Sequence, residues 1–391
     1  MHRLGTKLDN LRDVLSEKDR PLGFLLGAGC PQAVRQDGEP VIPPTPDLTR
    51  GAINTIQDVP ELEPALTAVL ELLDWGEGVI SEDEAEAGNP DLEELLETLR
   101  LLQSLPPGSA LEAISHDDLS ALERLLSSEI TEELDAAEFP DQQTPYHDLA
   151  AWVRDARRTY PASIFTTNYD LLIEEALEDE RVPYFTGFTG TEQAFLDDTS
   201  LDFNALPTNW ARLWKLHGSI NWAEIDGEIY RTSVNHQNSG VIHPSERKYD
   251  QSKRQPYQVM FDRLESFLRA KGAILVICGY SFGDEHINSL LRRALQNNEN
   301  ANAFGLLFNS LDEYPGAKNL ATDVSNFNLL APEHGVFGSQ VEAWDDTENG
   351  DLEIRIGASP DDGPTCTLGD FEKLGGFLSD IANNGGQQGD N

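Results

Sequence analysis

Four short apolar runs, each breaking off into a cluster of glycine or polar residues, constrain the fold more than any other feature of the chain. They are PLGFLLGAGC (21–30), PASIFTTN (161–168), ARLWKLHG (211–218) and KGAILVICG (271–279). Each is apolar on successive positions and too short for an ordinary helix, the pattern of a strand buried on both faces. A fifth such run, AFGLLFN, spans 303–309, and LEIRIGASPDD (352–362) offers a terminal strand. Helical spacing follows in YDLLIEEALED and YSFGDEHINSLLRRAL, and SINWAEIDGEIYRTS reads as a hairpin turning at Asp226-Gly227. Strands alternating with helices in this way imply an α/β fold with a Rossmann-like, mostly parallel sheet and helices on both faces. Ligands gather beyond the carboxyl ends of such strands, where all the polar clusters fall.

The alternation is interrupted between residues 51 and 140. There PELEPALTAVLELL, DLEELLETLRLLQSL and DLSALERLLSSEITEEL repeat leucine at three- and four-residue spacing, predicting an acidic helical insertion. Before it, Pro43, Pro44 and Pro46 predict extended backbone rather than a continuous helix. The domain reading is therefore one domain over 1–330 that includes the insertion. A C-terminal extension over 331–391 ends in a Gly-, Asn- and Gln-rich tail expected to be disordered from about Asn383.

Charge narrows the function classes. With 28 Lys and Arg against 69 Asp and Glu, the 391-residue chain carries a formal net charge of −41. That field repels phosphate backbones and anionic membranes, and no basic stripe offsets it, so neither direct nucleic-acid binding nor membrane binding is expected. The insertion alone holds 23 acidic and 2 basic residues. It reads as a solvated acidic surface or as a docking face for a basic partner. The bias to 20 arginines over 8 lysines, joined to the acidic excess, suggests a protein kept hydrated in concentrated salt. No apolar run is long enough to span a membrane and the amino-terminal segment lacks a signal core, so a cytoplasmic location is expected. Three cysteines without a CxxC spacing supply neither a disulfide framework nor a zinc ribbon.

The strand-end clusters carry the chemistry. Gly27, Ala28 and Gly29 keep bulk away from a turn that a phosphate group could approach, although a tight turn needs the same residues. Thr166, Asn168 and Asp170 place a hydroxyl, an amide and a carboxylate at one strand end, where they could hold ribose or water, or cap the next helix. His217, beside Gly218, is the best base in the chain. In CGYSFGDEHIN (278–288), Ser281 and Asp284 suit sugar or phosphate-side hydroxyls, and His286 suits a ligand contact or a helix anchor. A zinc site from Asp284, Glu285 and His286 lacks HExxH geometry and a cysteine partner.

The ordered set GAGC, TTNYDLLIEEAL, KLHGSINW and ICGYSFGDEHIN resembles the SIR2-like family, in particular its prokaryotic antiviral, NAD-consuming branch and the SIR2 subunit of SIR2-HerA systems. The resemblance implies a Rossmann-like NAD site with Asn168 and His217 as the essential catalytic pair. It implies NAD contacts from Gly27, Ala28, Gly29, Cys30, Thr166, Asp170, Gly279, Ser281, Phe282 and Asp284. NAD+ enters as substrate, and no metal is expected. Cys30-Pro31 stands where the family usually has a serine or threonine, and the zinc lobe of the deacylating sirtuins is missing. The implied activity is NAD+ hydrolysis to ADP-ribose and nicotinamide in antiphage defence, in a homo-oligomer with a HerA-like ATPase partner. The alternatives are an NAD-dependent protein deacylase and a non-catalytic NAD or ADP-ribose sensor.

Overall fold

Every residue of the strand Leu22–Leu26 (β1) is buried, because the sheet extends on both sides of it and helices cover both faces. The computed structural model describes residues 2–75, 90–106, 114–155, 158–197, 206–234, 256–345 and 364–386. Helix α1 (Leu4–Ser16) precedes β1, and a short 3-10 turn at Pro31–Ala33 leads to the small ladder of β2 (Arg35–Gln36) and β3 (Glu39–Pro40). Helices α2 (Thr45–Gln57), α3 (Glu63–Leu72), α4 (Leu92–Ser104) and α5 (His116–Asp135) come next, and α6 (Pro145–Asp155) returns the chain to β4 (Ser163–Thr166). Helix α7 (Leu172–Asp179), β5 (Tyr184–Phe185), β6 (Phe188–Thr189) and β7 (Ala194–Leu196) precede β8 (Ala211–Lys215). After the hairpin β9 (Trp222–Ile225) and β10 (Glu228–Arg231) come α8 (Tyr257–Arg269), β11 (Ile274–Cys278), α9 (Glu285–Gln296), β12 (Asn302–Leu306) and α10 (Pro315–Asp323). The chain closes with β13 (Phe327–Leu330), β14 (His334–Phe337), β15 (Gln340–Ala343) and α11 (Phe371–Gly386).

The main sheet has nine strands in the order β15-β14-β13-β12-β11-β1-β4-β8-β5. It is parallel from β13 to β5, and β14 and β15 add an antiparallel edge. The chain runs outward from β1 through β4 to β8, then crosses back to place β11 on the other side of β1. The crevice beyond the ends of β1 and β11 is therefore the topological switch point, where a doubly wound sheet binds ligands.

Alternate residues of each central strand feed the two cores. Phe24, Leu26, Ile164, Leu213 and Val276 join α1, the insertion helices, α6, α7 and α11. Leu25, Phe165, Trp214, Leu275 and Ile277 join α8, α9 and α10. Ile53, Leu66, Leu95, Leu99 and Leu126 of the insertion belong to the same cluster as β1 and β4, so the acidic helices turn their leucine faces onto the sheet's own core.

The five expected strand cores and the Asp226-Gly227 hairpin are present. Asp226 (φ 53°) and Gly227 (φ 85°) both take the left-handed region that a tight two-residue turn demands. One expectation gives way. Pro46 lies in the first turn of α2, where a proline loses no helical hydrogen bond. The carboxyl-terminal helix continues through Gly386, anchored by Phe371, Leu374, Leu378 and Ile381 against α6. The segment 352–362 lies outside the described residues, as does the tail beyond Gly386. Among the described residues no helix is long and apolar enough to cross a membrane.

Candidate active site

One line of register places the site. Leu26 pairs with Cys278 on one side and Thr166 on the other, and Thr166 pairs with Lys215. Two residues beyond that line stand Tyr280, Ala28, Asn168 and His217. Four motifs scattered over 250 residues of chain thus reach one edge of the sheet because four strands end together.

His217 is 2% exposed and lies between two carboxylates. Its Nε2 is 3.0 Å from Asp284 Oδ2 and its Nδ1 is 2.6 Å from Glu93 Oε1. Burial disfavours the imidazolium, but the bonds and charges of Asp284 and Glu93 outweigh it and the pKa rises to about 9. Burial likewise opposes the charge on Asp284. His217 and the N–H groups of Ile287 and His286 prevail and hold that carboxyl below its usual range. Asp284 also caps α9, its Oδ1 accepting from the N–H of His286 at 2.7 Å and of Ile287 at 3.2 Å. One oxygen fixes the helix and the other fixes the imidazole.

Asn168 is tied to the neighbouring strand end. Its Nδ2 donates to Gly27 O (3.1 Å), and its N–H donates to Thr166 Oγ1 (3.0 Å), which in turn donates to Leu26 O (3.0 Å). Asp170 points into the scaffold, where its Oδ1 accepts the N–H of Leu172 at the start of α7 (3.0 Å). Burial raises its pKa despite the nearby Lys215. Lys215 is buried at the end of β8 and donates to Tyr169 O (3.3 Å), Asp170 O and Glu174 Oε1 (3.1 Å). This cluster locks the 167–170 loop to β8.

The glycine turns clasp each other. A Cβ on Gly27 would lie 2.4 Å from Gly279 O, and one on Gly279, whose φ is +67°, would lie 2.6 Å from Cys30 N. The N–H groups of Gly27, Gly29 and Cys30 donate to Cys278 O, Gly279 O and Gly27 O. Cys30 is fully buried, its thiol donating to Cys278 O (3.3 Å) and pushed up in pKa by burial. Ala28 and Gly29 remain exposed, as do Ser281 and His286. Phe282 is buried at φ +59°, a conformation that costs a non-glycine residue about 1–3 kcal/mol, and Asn288 Nδ2 braces it through its carbonyl (2.8 Å).

Several contributors were not singled out from the sequence. Lys215 gives a signal in retrospect, being a lysine inside an apolar strand that must find buried partners. Tyr146 of α6, buried beside Asn168 and Asp170, and Tyr169, 6.4 Å ring to ring from His217, look like ordinary core aromatics in sequence. Glu93 is one acid among many on the insertion. Glu93, His217 and Asp284 are close enough together to suggest a metal. Yet the two carboxylates meet opposite ring nitrogens, and an ion bound to one nitrogen would lose the other carboxylate, so the set fits an ion-paired imidazolium better than a metal centre.

Residues 162–323 match the family model described as "SIR2-like domain". One solved structure, described as "Structural Basis for the Mechanism and Regulation of Sir2 Enzymes", aligns with 78% of this chain and 86% of that chain at 10% identity and a TM-score of 0.36. No curated protein matches. The matched span contains Asn168, His217 and Asp284 and supplies β4, β8, β11 and β12 of the sheet, and over it the chain is similar to the SIR2-like domain.

Proposed function

We propose that the chain is an NAD+ glycohydrolase, with Asn168 and His217 as its catalytic pair and Asp284 positioning His217. The observation that carries this reading is the alignment of Asn168 and His217 on adjacent strand ends, the imidazole backed by Asp284, inside the SIR2-like span. The net reaction takes NAD+ and water to ADP-ribose, nicotinamide and a proton. The leaving pyridinium takes the bonding pair and departs neutral, so little acid catalysis is required. Asn168 orients the ribose or the attacking water, and His217, once neutral, takes the proton that the water or a ribose hydroxyl gives up. The exposed turn at Ala28 and Gly29 gives the dinucleotide room at the switch point. Because the amides of Gly27, Gly29 and Cys30 already serve internal carbonyls, pyrophosphate contacts would come from the exposed turn at Ala28 and from the Ser281 loop.

In the cell we place this activity in antiphage defence, in a homo-oligomer with a HerA-like ATPase. This rests on the motif resemblance, and native mass measurement of the purified assembly tests it. For the chemistry, the assay is release of nicotinamide and ADP-ribose from NAD+ by the chain alone and in its assembly. Asn168→Ala and His217→Ala should each lower turnover by about a hundredfold or more with folding retained. NAD+ left intact in both settings overturns the reading, and acetyl-ADP-ribose formed with an acetyl-lysine peptide would replace it with deacylation.

A further inference from the structure

Glu93 belongs to the insertion, outside the strands and crossover helices that build the strand-end site, yet it makes the closest contact to the best base in that site. We propose, building on the NAD+ reading, that Glu93 is an inhibitory gate that closes over His217 and must swing off the imidazole before the site works.

Both ring nitrogens of His217 are engaged, Nδ1 by Glu93 at 2.6 Å and Nε2 by Asp284 at 3.0 Å. A general base needs a free lone pair on one nitrogen, and an imidazole clamped in this way has none to offer. Among the described residues, the charged or titratable groups facing it include Glu93 from α4, Asp284 from the start of α9, and Tyr169 from the loop after β4. Asp284 is part of the scaffold, because its other oxygen caps α9. Helix α4 has anchors besides Glu93. That helix is capped by Asp91, is seated by buried Leu92, Leu95, Leu96 and Leu99, and is tied to α5 through Arg100 and Glu123 at 2.7 Å. The Glu93 side chain is 32% exposed, so a rotamer change carries its carboxylate to water, whereas His217 is buried beneath it. The same helix also brings the charges of Glu93, Arg100 and Asp91 near the buried Tyr169.

The experiment measures His217 directly and NAD+ turnover separately. Diethyl pyrocarbonate acylates neutral, accessible imidazole, and peptide mass spectrometry reads His217 against exposed His286 in the same chain. Glu93→Gln keeps the side chain's size and Glu93→Ala removes it, while Glu94→Gln changes an exposed neighbour. The gate predicts that both Glu93 variants raise His217 acylation about tenfold or more at pH 7, and that they raise NAD+ hydrolysis in the same direction, with Glu94→Gln matching the parent chain. Unchanged His217 reactivity in both Glu93 variants overturns the gate. So does a fall in hydrolysis in Glu93→Gln, which would make Glu93 a positioning residue. Increased His217 reactivity with no NAD+ hydrolysis by any form leaves the gate standing and removes the NAD+ reading.

Discussion

At the scale of single residues, the ionisation of His217 links the fold to its chemistry. Its pKa of about 9 lies above the 6.5 of an unfolded histidine, so the folded state binds the proton more tightly. The resulting stability is fully present below pH 6.5 and is lost as pH rises through about 9, a span worth about 3 kcal/mol. Asp284 works from the acid side: its depressed pKa gives stability that is present above the unfolded carboxylate range and is lost as pH falls. Asp170 and Glu174, raised by burial, also favour the folded state at lower pH, so the comparison that isolates His217 is between the parent chain and Glu93→Gln. Melting temperatures of the two should converge above pH 9 and separate below pH 6.5, with the parent chain more stable. Coincident curves across that range would show that Glu93 does not hold the proton. Asp284→Asn keeps a capping oxygen for α9 but removes the charge opposite the imidazolium, and should also cost stability at pH 7. A loss of about 2 kcal/mol by urea unfolding, with NAD+ turnover reduced, is the expected outcome.

At the scale of elements, the packing of the two glycine turns changes the meaning of GAGC. Gly27 is required because Gly279 O occupies the space a Cβ would need, 2.4 Å away, so strands β1 and β11 approach as closely as their turns allow. Gly27→Ala should therefore lower stability by about 1–3 kcal/mol or more, read from chemical denaturation, through displaced backbone at the switch point. A neutral effect would mean that the clasp is looser than the geometry indicates. The strands were legible in the sequence because a strand buried on both faces has to be apolar at every position, as Leu22–Leu26 and Ile274–Cys278 are. Asn168 and His217 were legible as polar residues that cut such runs short, but that they stand at the same level of the sheet depends on strand order and register, which the sequence does not show. Asp284 stood out in the sequence, but its double use as cap and histidine partner depends on how α9 leaves its loop. Glu93 was not legible at all. Its contact with His217 joins chain positions 124 residues apart, and α4 carries several equivalent acids, of which only the fold selects one. Nor does composition show how α11 docks: Gly375 lets the helix approach Pro145 and Asp148 of α6, and Ser379 Oγ donates to Asp148 Oδ1 at 2.9 Å.

At the scale of the whole molecule, charge acts against the packing that the apolar residues achieve. The 28 basic residues can pair with only a minority of the 69 acidic ones, so the net electrostatic effect on the folded surface is repulsion. The insertion concentrates this repulsion, because its leucines face the core and most of its described carboxylates are exposed. Raising salt from about 0.1 M to 1 M shortens the screening length from about 10 Å to 3 Å, which removes repulsion between neighbouring surface carboxylates but barely reaches the buried His217 and Lys215 clusters. Salt should therefore stabilise this protein, by on the order of 5 °C in melting temperature over that range. Replacing exposed Glu71, Glu97, Glu132 and Glu133 by glutamine should raise the melting temperature at low salt and flatten its salt dependence, since less repulsion remains to be screened. If the melting temperature instead falls with added salt, attractive ion pairs such as Arg100–Glu123 outweigh the acidic excess, and the charge of −41 is compensated locally rather than opposed by packing.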